Sequence, residues 1–326
     1  MNEPTRPAAP ELSVIICAHN PRADYLRRAL AGLQAQTLSR ERWEFLLVDN
    51  ASQPPVSGQY VLDWHARGRH LREETLGLTP ARLRGIAEAR GGWLVFVDDD
   101  NVLAPDYLEQ VLAIAASHPN LAVFGSGQLR PEFEIPPPPV LTGALSMLAL
   151  REVAAPCWSK NPQDAASVPC GAGLCVRRET AGQFARLVDQ LHVGVVLGRK
   201  GGELFSHEDD LFSFAAAGAG REFGIFPELR ITHLIGAGRL TEAYFLRLIY
   251  YHAFSQWILH YLLAGGRPRR KSWLRPVQLI PHALRRGLFS ARCHLRRAAG
   301  EDRAARFIEE HQLTPFHPPA PPGKPA

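Results

Sequence analysis

Residues 12–18 form an apolar run rich in β-branched side chains, and after Pro21 the apolar positions Leu26, Leu30 and Leu33 recur at helical spacing. A short continuous run reads as a strand buried on both faces, and recurrence every three to four residues reads as a helix with one apolar stripe. The same two signals repeat. Residues 43–48 predict a second buried strand, 56–65 a short helical stretch and 70–73 a weaker third strand. Thr79 reads as the cap of a helix with Pro80 in its first turn, continued by Leu83, Ile86 and Ala87 and stopped at Gly91 and Gly92. Residues 93–97 predict the fourth strand. A helix after Pro105 then carries Leu108, Val111, Leu112 and Ala115 on its apolar side, and residues 121–125 predict a fifth strand.

Such alternation predicts an α/β fold with a mostly parallel, doubly wound sheet, whose ligands bind beyond the carboxyl ends of the strands. Polar residues collect at those ends: Ala18, His19 and Asn20 after the first strand, Asp49 and Asn50 after the second, and Asp98, Asp99 and Asp100 after the fourth. One such cluster could merely cap the following helix. Their repetition at one edge of the sheet predicts a site.

The rest of the chain is patterned differently. Pro136 to Pro139 form a rigid break, and residues 141–160 read as an irregular insert. Residues 248–266 contain no Asp, Glu, Lys or Arg, yet His252, Gln256 and His260 recur every four positions. That stripe predicts an amphipathic helix, lying on a membrane surface or packed on the domain, because a true span would leave it without partners in the bilayer. From residue 264 to 300 there are ten basic residues and no acidic ones, so the remainder of a chain with net charge +5 is acidic. Apolar residues such as Trp273, Leu274, Leu279, Ile280, Leu288 and Phe289 lie between these charges. The segment fits an anionic membrane surface or polyanion, and equally a solvated basic face. No zinc-finger spacing or RNA-binding aromatic signature accompanies the charge, so specific nucleic-acid recognition is not expected.

Composition narrows the class. With 326 residues, 46% hydrophobic and 21% charged, the chain is that of an ordinary globular protein, which excludes fibrous and wholly disordered classes. Five cysteines at irregular spacings fit neither a disulfide framework nor a zinc pattern. No basic region precedes a long apolar segment at the amino terminus, so the expected location is cytoplasmic, with peripheral attachment to the inner face of the cell membrane.

Three consecutive carboxylates after an apolar strand repel one another, and a divalent cation removes that penalty. Oxygen ligands suit Mg2+ or Mn2+, which keep positions open for phosphate oxygens. No GxxxxGK[ST] loop and no GxGxxG after a strand supplies a backbone phosphate cradle. A diphosphate held through the cation is therefore expected, as in transfer from a nucleotide-activated donor.

The ordered motifs SVIICAHN (13–20), LLVDNAS (46–52), ARLRG (81–85), FVDDD (96–100), GAGLCVRRE (171–179) and HEDDL (207–211) resemble the family 2 glycosyltransferases, which have the GT-A fold. The resemblance runs from about residue 12 to 233. It implies a flexible amino terminus (1–10), then a GT-A domain over 11–238 with a nucleotide-binding half (about 11–130) and an acceptor half (about 140–238). An amphipathic, basic helical extension (239–313) and a Pro-rich tail (314–326) would follow.

By the same resemblance, Ala18, His19, Asn20, Asp49, Arg82, Asp98 and Asp99 bind the donor, while Asp98, Asp100 and His233 hold the metal. The Glu208–Asp209 pair supplies the base of an inverting, metal-dependent transfer. The implied partners are a nucleotide diphosphate sugar and a carbohydrate or lipid-linked acceptor, in cell-surface polysaccharide or glycolipid assembly. Leu83 stands where Asn is commoner, His207 replaces a frequent Gly, and Asp210 adds a carboxylate that competes with Asp209; Asp209 is favoured because it aligns with the motif. Two other readings stay open: a nucleotidyltransferase, which would need a basic phosphate-gripping loop near the amino terminus, and a non-catalytic nucleotide-binding scaffold at the membrane.

Overall fold

The computed structural model describes residues 9–191, 197–265 and 287–315. They divide into two compact units, one of Met1–Pro136, Leu145–Leu187 and Asp209–Gly236, the other of Pro137–Ala144, Val188–Glu208 and Ala237–Ala326.

The first unit is built on one sheet. Its strands are β1 (Leu12–Ala18), β2 (Trp43–Asn50), β3 (Gly68–Glu73), β4 (Trp93–Asp98), β5 (Asn101–Leu103), β6 (Leu121–Phe133), β7 (Arg151–Glu152), β8 (Cys157–Ser159), β9 (Leu174–Arg177) and β10 (Glu222–Ile235). The main order is β3-β2-β1-β4-β9-β6-β10-β5, with β7 on β6 and β8 on β10. The β3-β2-β1-β4 part is parallel throughout, as the alternation predicts. Every residue of β2 is buried, which is why it reads as a largely apolar run rather than an alternating one, with Glu44 the polar residue inside it.

The sheet becomes mixed at its centre. β9 enters antiparallel between β4 and β6, pairing Leu174 with Phe96 and Cys175 with Val95. Because β9 runs opposite to β4, the residues just before Leu174 lie beside the carboxyl end of β4. The predicted fifth strand is longer than its apolar start, and the second half of β6 pairs with β10 from Arg230 to Ile235.

Helices α1 (Ala23–Gln34), α2 (Leu78–Glu88) and α3 (Tyr107–Ser117) cover this half. Gly85 lets α2 approach β1, since a Cβ there would stand 2.7 Å from Ile15 Cγ2. Two local expectations fail. The cap of α2 is Gly77, at φ 143°, not Thr79, which lies inside the helix. The predicted helix over 56–65 is a single 3₁₀ turn, Val56–Gly58, following Pro54 and Pro55. Helices α4 (Arg178–Leu191) and α5 (Asp210–Gly218) follow, with Phe184 and Phe212 stacked at 3.7 Å between ring centroids.

In the second unit, α6 (Glu242–Ala264) and α7 (Leu288–Glu310) pack on each other. Thr241 caps α6 by accepting the Tyr244 N–H at 3.2 Å, and Gly265 ends it in the left-handed conformation. Gly300 of α7 sits against the Tyr250 carbonyl and Ala253, leaving no room for a side chain. Phe254 meets Phe307, Arg292 pairs with Glu242 at 2.6 Å, and Tyr261 Oη donates to Leu313 O. The predicted amphipathic helix is thus α6: Gln256 and His260 are exposed, His252 is half-buried, and the apolar side packs on α7. Most of the predicted basic segment, residues 266–286, and most of the Pro-rich tail lie outside the described residues, as do residues 1–8 of the amino terminus. No helix among the described residues is long and apolar enough to cross a membrane.

Candidate active site

The loops after β1 and β2 are tied into one edge. Asn20 takes a left-handed φ of 45°, its N–H donates to Ser52 Oγ at 2.9 Å, and its Oδ1 accepts the Gln53 N–H at 2.8 Å. His19 Nδ1 lies 2.6 Å from the Asn50 carbonyl, so this nitrogen carries the proton, and Nε2 can accept from Asn20 Nδ2 at 3.2 Å. Ala18 is buried where β1 ends, whereas His19 and Asn20 are exposed.

Asp49 is buried and holds the second loop together. It accepts the Ser52 N–H at 3.0 Å and the Val56 N–H at 2.9 Å, and pairs with Arg72 Nη1 at 2.6 Å. Burial alone would raise its pKa, but the bonds from Ser52, Val56 and Arg72 outweigh that and hold it below the usual carboxylate range. Sequence reasoning missed Arg72, because a half-buried Arg on a short strand carries no signal of its own. Asn50 extends the brace: its Oδ1 accepts the Gly77 N–H at 2.8 Å and its Nδ2 donates to the Glu73 and Thr75 carbonyls. One side chain thereby links the end of β2 to the start of α2.

Asp98, Asp99 and Asp100 are half-buried at the end of β4. β5 pairs antiparallel with β10 and sets His233 opposite Asn101. Leu234 N–H donates to Asp100 O at 2.8 Å, and Asp100 Oδ2 stands 3.4 Å from His233 Nε2, with His233 only 4% exposed. Asp100 Oδ1 accepts from Asn101 Nδ2 at 2.9 Å. Among the described residues, no group of three or more His, Cys, Asp and Glu side chains is arranged to hold a metal ion. One carboxylate oxygen and one imidazole nitrogen do stand close enough to share a cation, and Mg2+ and Mn2+ commonly take one or two protein ligands with substrate phosphates completing the shell. The residues present fit such a partial set.

Asp209 occupies the cap position of α5 yet makes no capping hydrogen bond. Its Oδ2 accepts the Gly171 N–H at 2.6 Å instead. A Cβ on Gly171 would stand 2.6 Å from Arg82 Nη2 and 3.5 Å from Asp209 Oδ2, so guanidinium and carboxylate both border this glycine. Arg82 is 4% exposed and lies over the Phe96 ring at 5.6 Å. Burial pushes the neighbouring Cys170 thiol up to about 11, with Arg151 opposing the shift and Asp209 and Asp98 adding to it. Both carboxylates therefore act on one thiol. Glu208 is buried at 3% exposure at the end of the second unit's 188–208 segment, and His207 before it takes φ 72°. Asp210 lies in the first turn of α5.

Gly173 has φ 70°, and a Cβ there would collide with Ile231, the Tyr107 hydroxyl and Ser126 Oγ. Tyr107 Oη donates to the Gly173 carbonyl at 2.7 Å and lies 2.8 Å from Ser126 Oγ. This support was not legible in the sequence, where Tyr107 is simply the first residue of a helix.

Arg22 donates to Asp24 at 2.6 Å and Glu134 at 2.9 Å, so the basic residue that a phosphate-gripping loop would need is already bound to two carboxylates.

Residues 13–141 match the sequence model of Glycosyl transferase family 2. EpsH of Bacillus subtilis is 30% identical over 117 residues, 35% of this chain and 33% of EpsH. The O-antigen biosynthesis protein RfbC of Myxococcus xanthus is 28% identical over 118 residues, 35% of this chain and 9% of RfbC. The matched part thus spans a third or less of these relatives. The crystal structure of GalNAc-T7 with UDP, GalNAc and Mn2+ is similar over 94% of this chain and 55% of that one, with a TM-score of 0.54 and 16% identity, a likeness of fold alone. Residues 13–141 thus match the model of Glycosyl transferase family 2, within a mixed α/β fold of the GT-A type.

Proposed function

We propose that this protein is an inverting glycosyltransferase that moves a sugar from a nucleotide diphosphate donor to an acceptor hydroxyl, with Asp209 as base. The observation that carries the reading is the hydrogen bond from Gly171 N–H to Asp209 Oδ2, made beside Arg82 in the unit that also holds the Asp98–Asp100 loop. A carboxylate serving only as a helix cap would turn toward its own helix. This one accepts from Gly171 instead of from its own helix.

In this reading the braced loop around Asp49, with Ala18, His19 and Asn20, receives the nucleotide. Asp98 and Asp99 meet the ribose, and Arg82 adds positive charge near the phosphates. Asp100 and His233 would hold Mn2+ or Mg2+, which when bound neutralises charge on the departing diphosphate. Asp209 accepts the proton of the acceptor hydroxyl as that oxygen attacks the anomeric carbon opposite the leaving group, which inverts the centre. Glu208, next in the chain, completes the acidic pair.

The likeness to the O-antigen biosynthesis protein RfbC supports an acceptor in cell-surface polysaccharide or glycolipid assembly. The ten basic residues and absence of acidic ones in the sequence of residues 264–300 support work at an anionic membrane surface on the cytoplasmic side. The pairing of Arg22 with Asp24 and Glu134 speaks against a nucleotidyltransferase.

The test is a thermal-shift screen of nucleotide diphosphate sugars with and without Mn2+, followed by NMR of the product formed from the best donor. Cation-dependent stabilisation and an inverted anomeric configuration are expected. Retained configuration, or stabilisation by nucleoside triphosphates alone, would contradict the reading.

A further inference from the structure

Arg177 and Arg221 of the first unit donate to one carbonyl oxygen, at the edge of the sheet opposite to the Asp98–Asp100 loop. Arg177 ends β9 and pairs with Trp93, the first residue of β4, while Glu222 starts β10 opposite Leu121, the first residue of β6. Asp98 is the last residue of β4, so about 17 Å of strand separates it from this level.

The Arg177 side chain is fixed in place. Its Nε donates to Leu121 O at 2.6 Å and its Nη2 to Pro119 O at 2.9 Å, and the guanidinium lies over the Trp93 ring at 4.6 Å. Arg221 Nη1 donates to the same Pro119 oxygen at 3.4 Å. Burial and then the charge of Arg221 lower the pKa of Arg177, with Glu179 opposing them, yet a guanidinium keeps its charge at any working pH. Two like charges thus converge on one neutral oxygen. Among the described residues neither is ion-paired with a carboxylate, since Glu222, next to Arg221, pairs with Lys160 at 3.7 Å.

An aromatic ring adjoins this pair. His118, the residue before Pro119, meets the Trp158 ring edge-on at 5.1 Å between centroids, and the Phe226 ring lies within 9° of parallel to it at 6.2 Å. Gly224 stands opposite Trp158 in the pairing of β8 with β10, where a Cβ would come 2.7 Å from that of Trp158. Three neighbours therefore hold the indole, and Trp158 is still 47% exposed.

We infer that this edge is a second binding surface, for an acidic saccharide chain: the exposed part of the Trp158 indole receives a sugar ring, and the Arg177 and Arg221 guanidiniums receive its carboxylate. A planar carboxylate matches the fork of a guanidinium, and an anion placed between two guanidiniums removes their repulsion. The C–H face of a sugar ring suits an indole, which is apolar in body with one polar N–H. Single-stranded nucleic acid fits less well, because it stacks successive bases on several rings and the neighbouring Phe226 is buried. The choice of a saccharide rests on the glycosyltransferase reading: a chain gripped at this edge is kept at high effective concentration near the other.

The experiment is calorimetry on the full chain with oligogalacturonate, in which every ring carries a carboxylate. A neutral malto-oligosaccharide of equal length, inorganic phosphate and a short oligothymidine serve as comparisons. Oligogalacturonate should bind at least about tenfold more tightly than the neutral chain, and its affinity should fall as salt is raised. Arg221→Gln and Trp158→Ala should each weaken that binding about tenfold with unchanged donor affinity and melting temperature, while Asp209→Asn should bind the saccharide normally. Should Trp158→Ala unfold, Arg221→Gln alone decides. Undiminished binding in Arg221→Gln would overturn the inference, as would absence of oligogalacturonate binding, binding of phosphate as tight as that of the saccharide, or equal affinity for oligothymidine. Saccharide binding through Arg221 and Trp158 in a protein that turns over no nucleotide sugar would instead contradict the glycosyltransferase reading, which keeps the two failures distinguishable.

Discussion

His233 Nε2 stands 3.4 Å from Asp100 Oδ2, brought there by the antiparallel pairing of a three-residue strand with β10 that sets His233 opposite Asn101. Two residues more than a hundred positions apart in the chain thus come together at the edge where the β1 and β2 loops also end.

If this pair shares a divalent cation with the donor diphosphate, Asp100→Asn and His233→Ala should each weaken Mn2+-dependent donor binding about tenfold or more. Cation-independent binding of the bare nucleoside should change little. Calorimetry with and without Mn2+ reads both, and unchanged metal dependence in both variants would remove the pair from the site.

Gly171 and Gly173 should separate function from stability. A Cβ at Gly173 meets Ile231, Tyr107 and Ser126 in a left-handed backbone, so Gly173→Ala should destabilise by about 2 kcal/mol or more in thermal or denaturant unfolding. A Cβ at Gly171 meets chiefly the end of the Arg82 side chain, which can move. Gly171→Ala should therefore fold nearly normally while losing donor affinity and turnover. Equal stability losses would contradict this division.

Asp49 should make stability depend on acid. Folding lowers its pKa, so its contribution is fully present above the unfolded value of about 3.9 and fades as pH falls through the lower folded value. Asp49→Asn should cost about 1–3 kcal/mol at neutral pH, because a hydrogen-bonded charge paired with Arg72 is lost. The difference from the unsubstituted protein should shrink steadily in unfolding series taken below pH 4. A constant difference down to pH 2 would assign the effect to shape rather than charge.

Much of this site could be read from residues alone, and the reason is physical. β1, β2 and β4 are buried on both faces, so each appears as a largely apolar run, broken only by Ser13 in β1 and Glu44 in β2, with further polar residues at its carboxyl end. The β5–β10 and β4–β9 pairings were not legible, because strands of three and four residues are too short for any periodicity to register. Those two pairings carry His233 and the Gly171–Gly173 segment to their places. The cap of α2 was misassigned because Thr79 has the right chemistry for a cap, whereas the actual start is set at Gly77, whose N–H is taken by Asn50 across 27 residues of chain. Pattern also left the role of residues 248–266 open between membrane and domain. The packing of α6 on α7, through Gly300 and Phe307, is a contact between side chains that no single-helix pattern reveals.

The basic segment should act across a salt-sensitive distance. Flotation of the intact protein should show binding to vesicles of anionic lipid and little to neutral ones, falling as salt is raised. Equal recovery with both vesicle types at low salt would indicate a solvated basic face without membrane affinity.

The most direct test of the account is Asp209→Asn, compared with Asp210→Asn in the same assay. The Asp209 variant should bind the nucleotide diphosphate donor with unchanged affinity and lose transfer by ~10²-fold or more, the loss expected when general-base catalysis is removed. Asp210→Asn should stay active. Transfer that survives in Asp209→Asn and disappears in Asp210→Asn would contradict the account, because the Gly171–Asp209 hydrogen bond would then hold a helix end and not a base.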